Sequence, residues 1–153
     1  MYSDIKFYIT ESLFKLLKTK KIKEIKITEI VNLSNISRTT FYNNFKNIND
    51  VKIYKFNLII EDIFKIYTLN IKRKKDNKEL LKNILKYINN NKEIFIIIKN
   101  KFYFEFKNLL DNYFIKKTNN KYNYYIKSGI MINLCLYFID NNFNIKLDKI
   151  KID

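Results

Sequence analysis

The scarcity of turn-forming residues constrains this chain more than any other feature, since its 153 residues contain one Gly and no Pro. Gly and Pro are the residues that tight turns and strand ends most often need. A chain almost without them favours long helices over a strand-and-turn architecture, although its many Ile, Phe and Tyr residues have high strand propensity. With 47% hydrophobic residues it can fill the core of one or two small domains. We therefore predict an all-α fold.

Apolar residues recur at helical spacings of three and four along most of the chain. The pattern predicts helices over residues 4–19, 26–33, 37–44, 49–71, 80–88, 93–117, 122–139 and 143–152. The segment 93–117 is expected either as two helices or as one bent helix. Tyr8 in the first helix and Leu33 in the second are among the side chains expected to face inward. The basic run at residues 72–75 is the expected domain boundary.

Residues 34–45, with the sequence SNISRTTFYNNF, resemble the turn and second helix of a helix-turn-helix. Asn35 can adopt the left-handed backbone conformation that a tight turn requires. Ser37 can cap the following helix through its hydroxyl group. Phe41 and Phe45 lie four residues apart and are expected to face inward, which leaves polar side chains on the outer faces. Such a helix suits the major groove of DNA and its flanking phosphates.

The segment from Ile25 to Val51 resembles the DNA-binding region of the tetracycline-repressor (TetR) family of bacterial regulators. The resemblance lies in the order of Ile30, Ile36-Ser37-Arg38, Thr40-Phe41-Tyr42, Phe45 and Asp50-Val51. Together with the helical pattern, it implies a helix-turn-helix DNA-binding domain over residues 1–50, a linking helix over 51–71 and a helical dimerisation and effector-binding domain over 72–153. The resemblance also implies a dimeric repressor that blocks a promoter, and no cofactor.

The same resemblance assigns roles to residues of the motif. Arg38 and Thr39 are expected nearest the base edges, where sequence is read. Asn44 stands where the family usually has His. Its amide can still donate a hydrogen bond to phosphate, but unlike His it does not titrate. The expected DNA-binding residues are Lys26, Thr28, Ser37, Arg38, Thr39, Thr40, Tyr42, Asn43, Asn44 and Lys46, of which Ser37, Thr40, Tyr42 and Asn44 are expected on phosphates.

Three positions depart from the family pattern. Asn35 replaces the usual Gly of the turn. Lys26 replaces the Thr or Ser that caps the first motif helix, and Thr28 is the hydroxyl residue that could cap it instead. Ile48 replaces a Lys that anchors the next helix to phosphate, and Lys46 is the nearby cation that could take over this contact.

The net charge of +15 is spread along the chain in proportion to length, with +4 in residues 1–50 and +11 in residues 51–153. A composition without Ala and rich in Lys, Ile, Asn, Phe and Tyr is typical of an AT-rich genome, which accounts for part of this charge. The charge predicts weak, salt-sensitive attachment to any DNA. A specific site has to come from the motif.

The predicted helix over residues 122–139 is apolar on most of its faces, so it has to be buried or to face a partner. Its stripe of Ile126, Ile130, Leu134 and Phe138 is the expected homodimer interface. One recognition helix reads few base pairs, and paired half-sites are the common solution. A core helix of a monomer is the alternative.

Aromatic residues between Phe95 and Tyr125 raise the hypothesis of a pocket for a small apolar effector, which the resemblance also implies. Aromatic stripes at helical spacing are more often plain core, and AT-rich coding raises the content of Phe and Tyr. Both interpretations stay open.

Other functional classes have little support in this sequence. It has no His, one Cys and one Gly, so it offers neither the Cys/His spacing of a zinc site nor a Gly-rich phosphate loop. We expect no enzyme, no metal and no cofactor. The apolar run at residues 94–98, like every other apolar run in the sequence, is far shorter than the roughly 20 residues of a membrane helix. With no signal peptide in the sequence, a cytoplasmic protein without a membrane partner is expected.

Two alternatives to a specific regulator stay open. The first is a basic nucleic-acid-binding or scaffold protein without sequence preference. The second is a helical protein-interaction module that has lost DNA binding, which the departures at Lys26 and Ile48 favour.

Overall fold

The computed structural model of the protein describes residues 2–73, 76–118 and 137–141. The helices are α1 (Tyr2–Leu17), α2 (Ile27–Ser34), α3 (Arg38–Asn44), α4 (Ile48–Lys72), α5 (Asn77–Asn90), α6 (Lys92–Ile97) and α7 (Tyr103–Thr118). A 3-10 turn at Ile22–Glu24 precedes α2, and a π-helical turn at Ile98–Phe102 joins α6 to α7. The described residues contain no strand, so the all-α prediction is confirmed for them.

The chain divides into two compact units, Met1–Leu58 and Ile59–Asp153, and the division falls within α4. Of the expected boundary run at residues 72–75, Lys74 and Lys75 lie outside the described residues. The predicted helices over 122–139 and 143–152 also lie outside them, apart from residues 137–140, which are helical. The segment 93–117 is helical throughout, with the π-helical turn in its middle.

The core of the first unit is built from the inner faces of α1, α2, α3 and the N-terminal part of α4. α1 packs against α2, and α2 packs against α3. Each helix contributes a fully buried side chain: Leu13, Ile30, Phe41 and Phe56. The rings of Phe14 and Phe56 meet edge to face, with their centroids 6.3 Å apart. Burial of large apolar side chains from every helix stabilises this unit.

Two side chains expected in this core lie outside it. Tyr8 is 56% exposed and Leu33 is 41% exposed, so both predictions are wrong. On α2 the buried side chains are Ile30 and Val31, and Leu33 lies two residues past Val31, about 200° round the helix. Tyr8 likewise lies five residues before the buried Leu13, about 140° round the helix. Each helix buries a stripe too narrow to include every apolar residue.

The turn between α2 and α3 depends on Asn35, whose backbone is left-handed at φ 54° and ψ 47°. The Asn35 N–H donates to the carbonyl of Asn32 at 3.3 Å, and the Ile36 N–H donates to the carbonyl of Val31 at 3.1 Å. This pair of bonds is a Schellman motif, which satisfies carbonyls at the end of a helix. The predicted left-handed conformation of Asn35 is confirmed.

The second unit has a core of aliphatic and aromatic side chains. α5 begins at the cap of Asp76, whose carboxylate accepts the Glu79 N–H at 2.7 Å. The buried stripe of α5 consists of Leu81, Ile84, Leu85 and Ile88. Phe64 of α4 meets Phe114 of α7 edge to face, with a centroid distance of 5.1 Å. The two elements are thereby held in contact by a favourable ring geometry.

The turn makes a testable prediction about stability. Asn35→Ala should destabilise the first unit by about 1 kcal/mol, because a Cβ without a polar side chain disfavours the left-handed conformation. Asn35→Gly should be nearly neutral, since Gly adopts this conformation freely. Urea unfolding measures both changes. Asn32→Ala, the same substitution on the exposed face of α2, is the control; equal losses for the two Ala variants would contradict the role of the turn.

Candidate nucleic-acid interface

The N-terminus of α2 is capped by a carboxylate. Lys26 is the residue before the helix, and its backbone N–H donates to Oε2 of Glu29 at 3.0 Å. Thr28 is exposed, lies in the first turn of α2 and forms no side-chain hydrogen bond within the described residues, so the prediction that it caps α2 is wrong. A Glu three residues after the cap position reaches the cap N–H more readily than a hydroxyl inside the first turn. The side chains of Lys26 and Thr28 remain exposed to solvent.

Glu29 also joins this cap to the segment before it. Its carboxylate forms an ion pair with Lys20. The hydrogen bond from Lys20, and then the one from the Lys26 backbone, hold the pKa of Glu29 below its ordinary value of 4.5. The Glu29 side chain is therefore expected as a carboxylate at neutral pH.

The N-terminus of α3 is capped by Ser37, as predicted. Its Oγ accepts the Thr40 N–H at 3.0 Å and lies 2.8 Å from Oγ1 of Thr40. The two hydroxyl groups therefore share a hydrogen bond within the first turn. One of the two hydroxyl protons is used there, and the other is left to donate outward.

Four side chains on α3 face solvent: Arg38, Thr39, Tyr42 and Asn43. None of them forms a side-chain hydrogen bond or an ion pair within the described residues. Tyr42 is 53% exposed, and its ring stands edge-on to the buried Phe41 at a centroid distance of 5.6 Å. Residues one, four and five apart lie on neighbouring rows of a helix, so these side chains form one continuous polar face. We call these four side chains the α3 face.

Asn44 is only partly available for an outside contact. It is half-buried, and its Nδ2 donates to the backbone carbonyl of Thr40 at 2.8 Å. One amide N–H and the side-chain oxygen remain for other partners. Its expected phosphate contact is therefore limited to one remaining donor.

The start of α4 contains a feature that the sequence reasoning missed. Asn47 accepts the Asp50 N–H at 3.0 Å, and Asp50 accepts the Lys46 N–H at 3.2 Å. The two side chains together cap the start of α4, with Asp50 on the N–H of Lys46, one residue before Asn47, and the Asn-x-x-Asp spacing was the signal for it. This cap fixes the backbone of Lys46, whose side chain is exposed. Ile48, the first residue of α4, is half-buried.

The residues expected at a dimer interface are described only in part. Ile126, Ile130 and Leu134 lie outside the described residues. Phe138 is buried within the single chain, and the neighbouring Tyr137 is 57% exposed. The dimer interface stays a prediction.

The aromatic residues of the second unit mostly pack against one another. Phe95, Phe102, Phe106 and Phe114 are buried, whereas Phe104 is exposed. The rings of Phe95 and Phe106 meet nearly perpendicularly at a centroid distance of 6.4 Å. This packing supports the plain-core interpretation of the buried aromatics over that of an apolar pocket.

The described residues offer neither a metal site nor a membrane-spanning helix. No group of three or more Cys, Asp or Glu side chains lies close enough together there to hold a metal ion. No helix in this part of the chain combines the length and the hydropathy that crossing a membrane requires.

In comparisons with models of known families, with curated proteins and with solved structures, nothing matches this chain.

The cap of α2 predicts a pH dependence. Because Glu29 has a lower pKa in the folded than in the unfolded state, its carboxylate stabilises the fold above the unfolded pKa. That contribution is lost as the pH falls through the folded pKa. Glu29→Gln should flatten the decline in stability below about pH 4.5, as measured by urea unfolding at stepwise lower pH. Lys20→Met should flatten this decline in part. A decline in stability at low pH that is unchanged in both variants would contradict the ion pair.

Proposed function

We propose that the protein is a DNA-binding transcriptional regulator of the tetracycline-repressor type, which acts as a homodimeric repressor in the cytoplasm. The α3 face carries the proposal, because four polar side chains without hydrogen-bond or ionic partners among the described residues project from one capped helix. The left-handed turn at Asn35 and the buried Phe41 support it, since they hold α3 in one orientation on α2.

The chemistry of the α3 face suits the major groove. Arg38 carries a planar guanidinium that can form two hydrogen bonds with the edge of guanine. Thr39 offers a methyl group for thymine and a hydroxyl for either base type. Asn43 carries the amide that pairs best with adenine. Tyr42 can donate its phenol proton to a phosphate at the rim of the groove.

The residues around the α3 face serve as phosphate contacts and supports in this proposal. Lys46 and Lys26 are exposed cations at the starts of α4 and α2, and Thr28 lies next to the latter. In this proposal the remaining side-chain donors of Ser37, Thr40 and Asn44 also contact phosphates of the DNA. These contacts orient the helix without reading sequence.

In this proposal a homodimer recognises the whole DNA site, because one α3 helix contacts only a few base pairs. Two α3 helices would occupy half-sites about 34–36 Å apart, which is one turn of DNA. The stripe of Ile126, Ile130, Leu134 and Phe138 is the proposed interface. Occupation of a promoter by the dimer would exclude the polymerase, so repression needs no cofactor.

The net charge of +15 and the pI of about 9.7 favour a second candidate, a basic nucleic-acid-binding or scaffold protein without sequence preference. Its affinity would come from phosphates alone and would fall steeply with salt.

One experiment separates these functions. Duplexes are selected from a random pool on the purified protein, and the enriched site is titrated beside a scrambled duplex of equal composition at about 150 mM salt. A preference of about a thousandfold supports the regulator. Equal binding to both duplexes supports the scaffold, and binding to neither supports a protein-interaction module.

Substitutions on the α3 face test the assigned roles. Arg38→Ala should weaken binding to the selected site about 10- to 100-fold and relax selection at one base pair, because a bidentate base contact is lost. Tyr42→Ala should weaken binding to the selected and the scrambled duplex by the same factor, since phosphates carry no sequence information.

Lys82→Ala is the charge-matched control, because Lys82 is an exposed cation on α5 in the second unit. Fluorescence anisotropy measures the DNA affinity of the wild-type protein and of the three variants. A loss in Lys82→Ala equal to that in Arg38→Ala would show that only total charge matters, and the proposed docking would then be wrong.

A further inference from the structure

A cavity of about 340 Å³ lies in the second unit, between the C-terminal part of α4 and α5. Its volume falls within the range of small-molecule sites, about 300–1,000 Å³. The polar side chains that line it include Asn70, Arg73, Asn83, Lys86 and Asn90. These polar groups are combined with apolar surface from Ile66 and Leu69, and Tyr87 is the one aromatic residue among the described lining residues, so this site is not the aromatic pocket that the sequence suggested.

Charge is the distinctive property of the cavity. Arg73 and Lys86 both line it, and the described residues of the lining include no carboxylate. Neither cation forms a side-chain hydrogen bond or an ion pair with any residue in the described ranges. Two uncompensated cations in one concave site favour a ligand of negative charge.

The carboxylates next to the cavity are bound to other groups. Asp62 accepts a hydrogen bond from the phenol of Tyr87 at 3.1 Å. Glu79 accepts one from the amide of Asn83 at 3.4 Å. Asp76 accepts the N–H of Glu79 as the cap of α5. None of these three carboxylates forms an ion pair with Arg73 or Lys86, so both cations keep their donors for a ligand.

The walls of the cavity are held in place before any ligand binds. The hydrogen bond between Tyr87 and Asp62 ties α5 to α4, and Phe95 packs edge-on against Tyr87 at a centroid distance of 6.2 Å. Burial, and then the charge of Asp62 and its hydrogen bond, raise the pKa of Tyr87, so the phenol keeps its proton and its bond. The buried Asn70 donates to the Asp76 carbonyl at 3.3 Å. A preformed site loses less entropy on binding.

We propose that this cavity binds a small organic anion, with its acidic group on Arg73 and Lys86 and its apolar body on Ile66 and Leu69. Arg73 offers a planar fork of donors that suits both carboxylate and phosphate, and Lys86 adds a point charge. Leu69 is 50% exposed and supplies an apolar wall that water covers poorly. The amide of Asn90, which also lines the cavity, can donate to the same acidic group. The site does not depend on the proposed DNA binding.

Calorimetric titration of the full chain with phenyl phosphate, benzoate and benzyl alcohol tests the site at about 150 mM salt, where diffuse charge attraction is screened. Saturable binding of at least one of the two anions, with none for the neutral alcohol, is expected. The anion that binds more tightly shows whether the site prefers a phosphate or a carboxylate group. Inorganic phosphate is titrated as well; binding as tight as that of phenyl phosphate would overturn the role of the apolar wall.

Variants then assign the binding to this cavity. Arg73→Gln and Lys86→Gln should each weaken it at least about tenfold, because a charged hydrogen-bond partner is lost. Lys72→Gln and Lys82→Gln remove equal charge from exposed positions outside the lining and should leave it unchanged. Equal losses in all four variants, or no saturable binding by the wild-type chain, would overturn the proposal. Matching thermal unfolding of the variants confirms that each is folded.

Discussion

The backbone conformation of Asn35 is the constraint on which the candidate interface depends. A left-handed residue directly after α2 lets the chain turn within three residues and still satisfy the carbonyls of the helix end. Ser37 then starts α3, and the burial of Phe41 fixes which face of that short helix points inward. Since α3 has only seven residues, its own hydrogen bonds could not hold it in place. Its orientation comes from the turn and from packing.

Polar side chains in this region divide into those that build the structure and those that remain free. Ser37, Thr40 and Asn44 use hydrogen-bonding capacity within α3. The α3 face forms no such bonds within the described residues. A side chain committed to its own backbone gives up donors that a phosphate could use, yet it holds the neighbouring free side chains in register. Recognition would thus rest on few residues, each held by a larger internal network.

The second unit shows how a biased composition can conceal a local site. Its many aromatic rings attract attention in the sequence, but those of Phe95, Phe106 and Phe114 are buried in the core. The proposed ligand site instead uses Arg73 and Lys86, which are indistinguishable in the sequence from many other basic residues. What sets them apart is a shared cavity in which no described residue is an acidic partner.

The sequence alone determined the helical class, the cap at Ser37, the left-handed turn and the inward direction of Phe41, because spacing and capping act over a few residues. Tertiary structure decided what depends on more distant neighbours. It selected which apolar residues each helix buries, so Leu33 stays exposed. It also brought Tyr87 to Asp62 across 25 positions of chain and shaped the cavity beside them. Such contacts depend on how helices pack, and a periodic pattern within one helix carries no record of its partner.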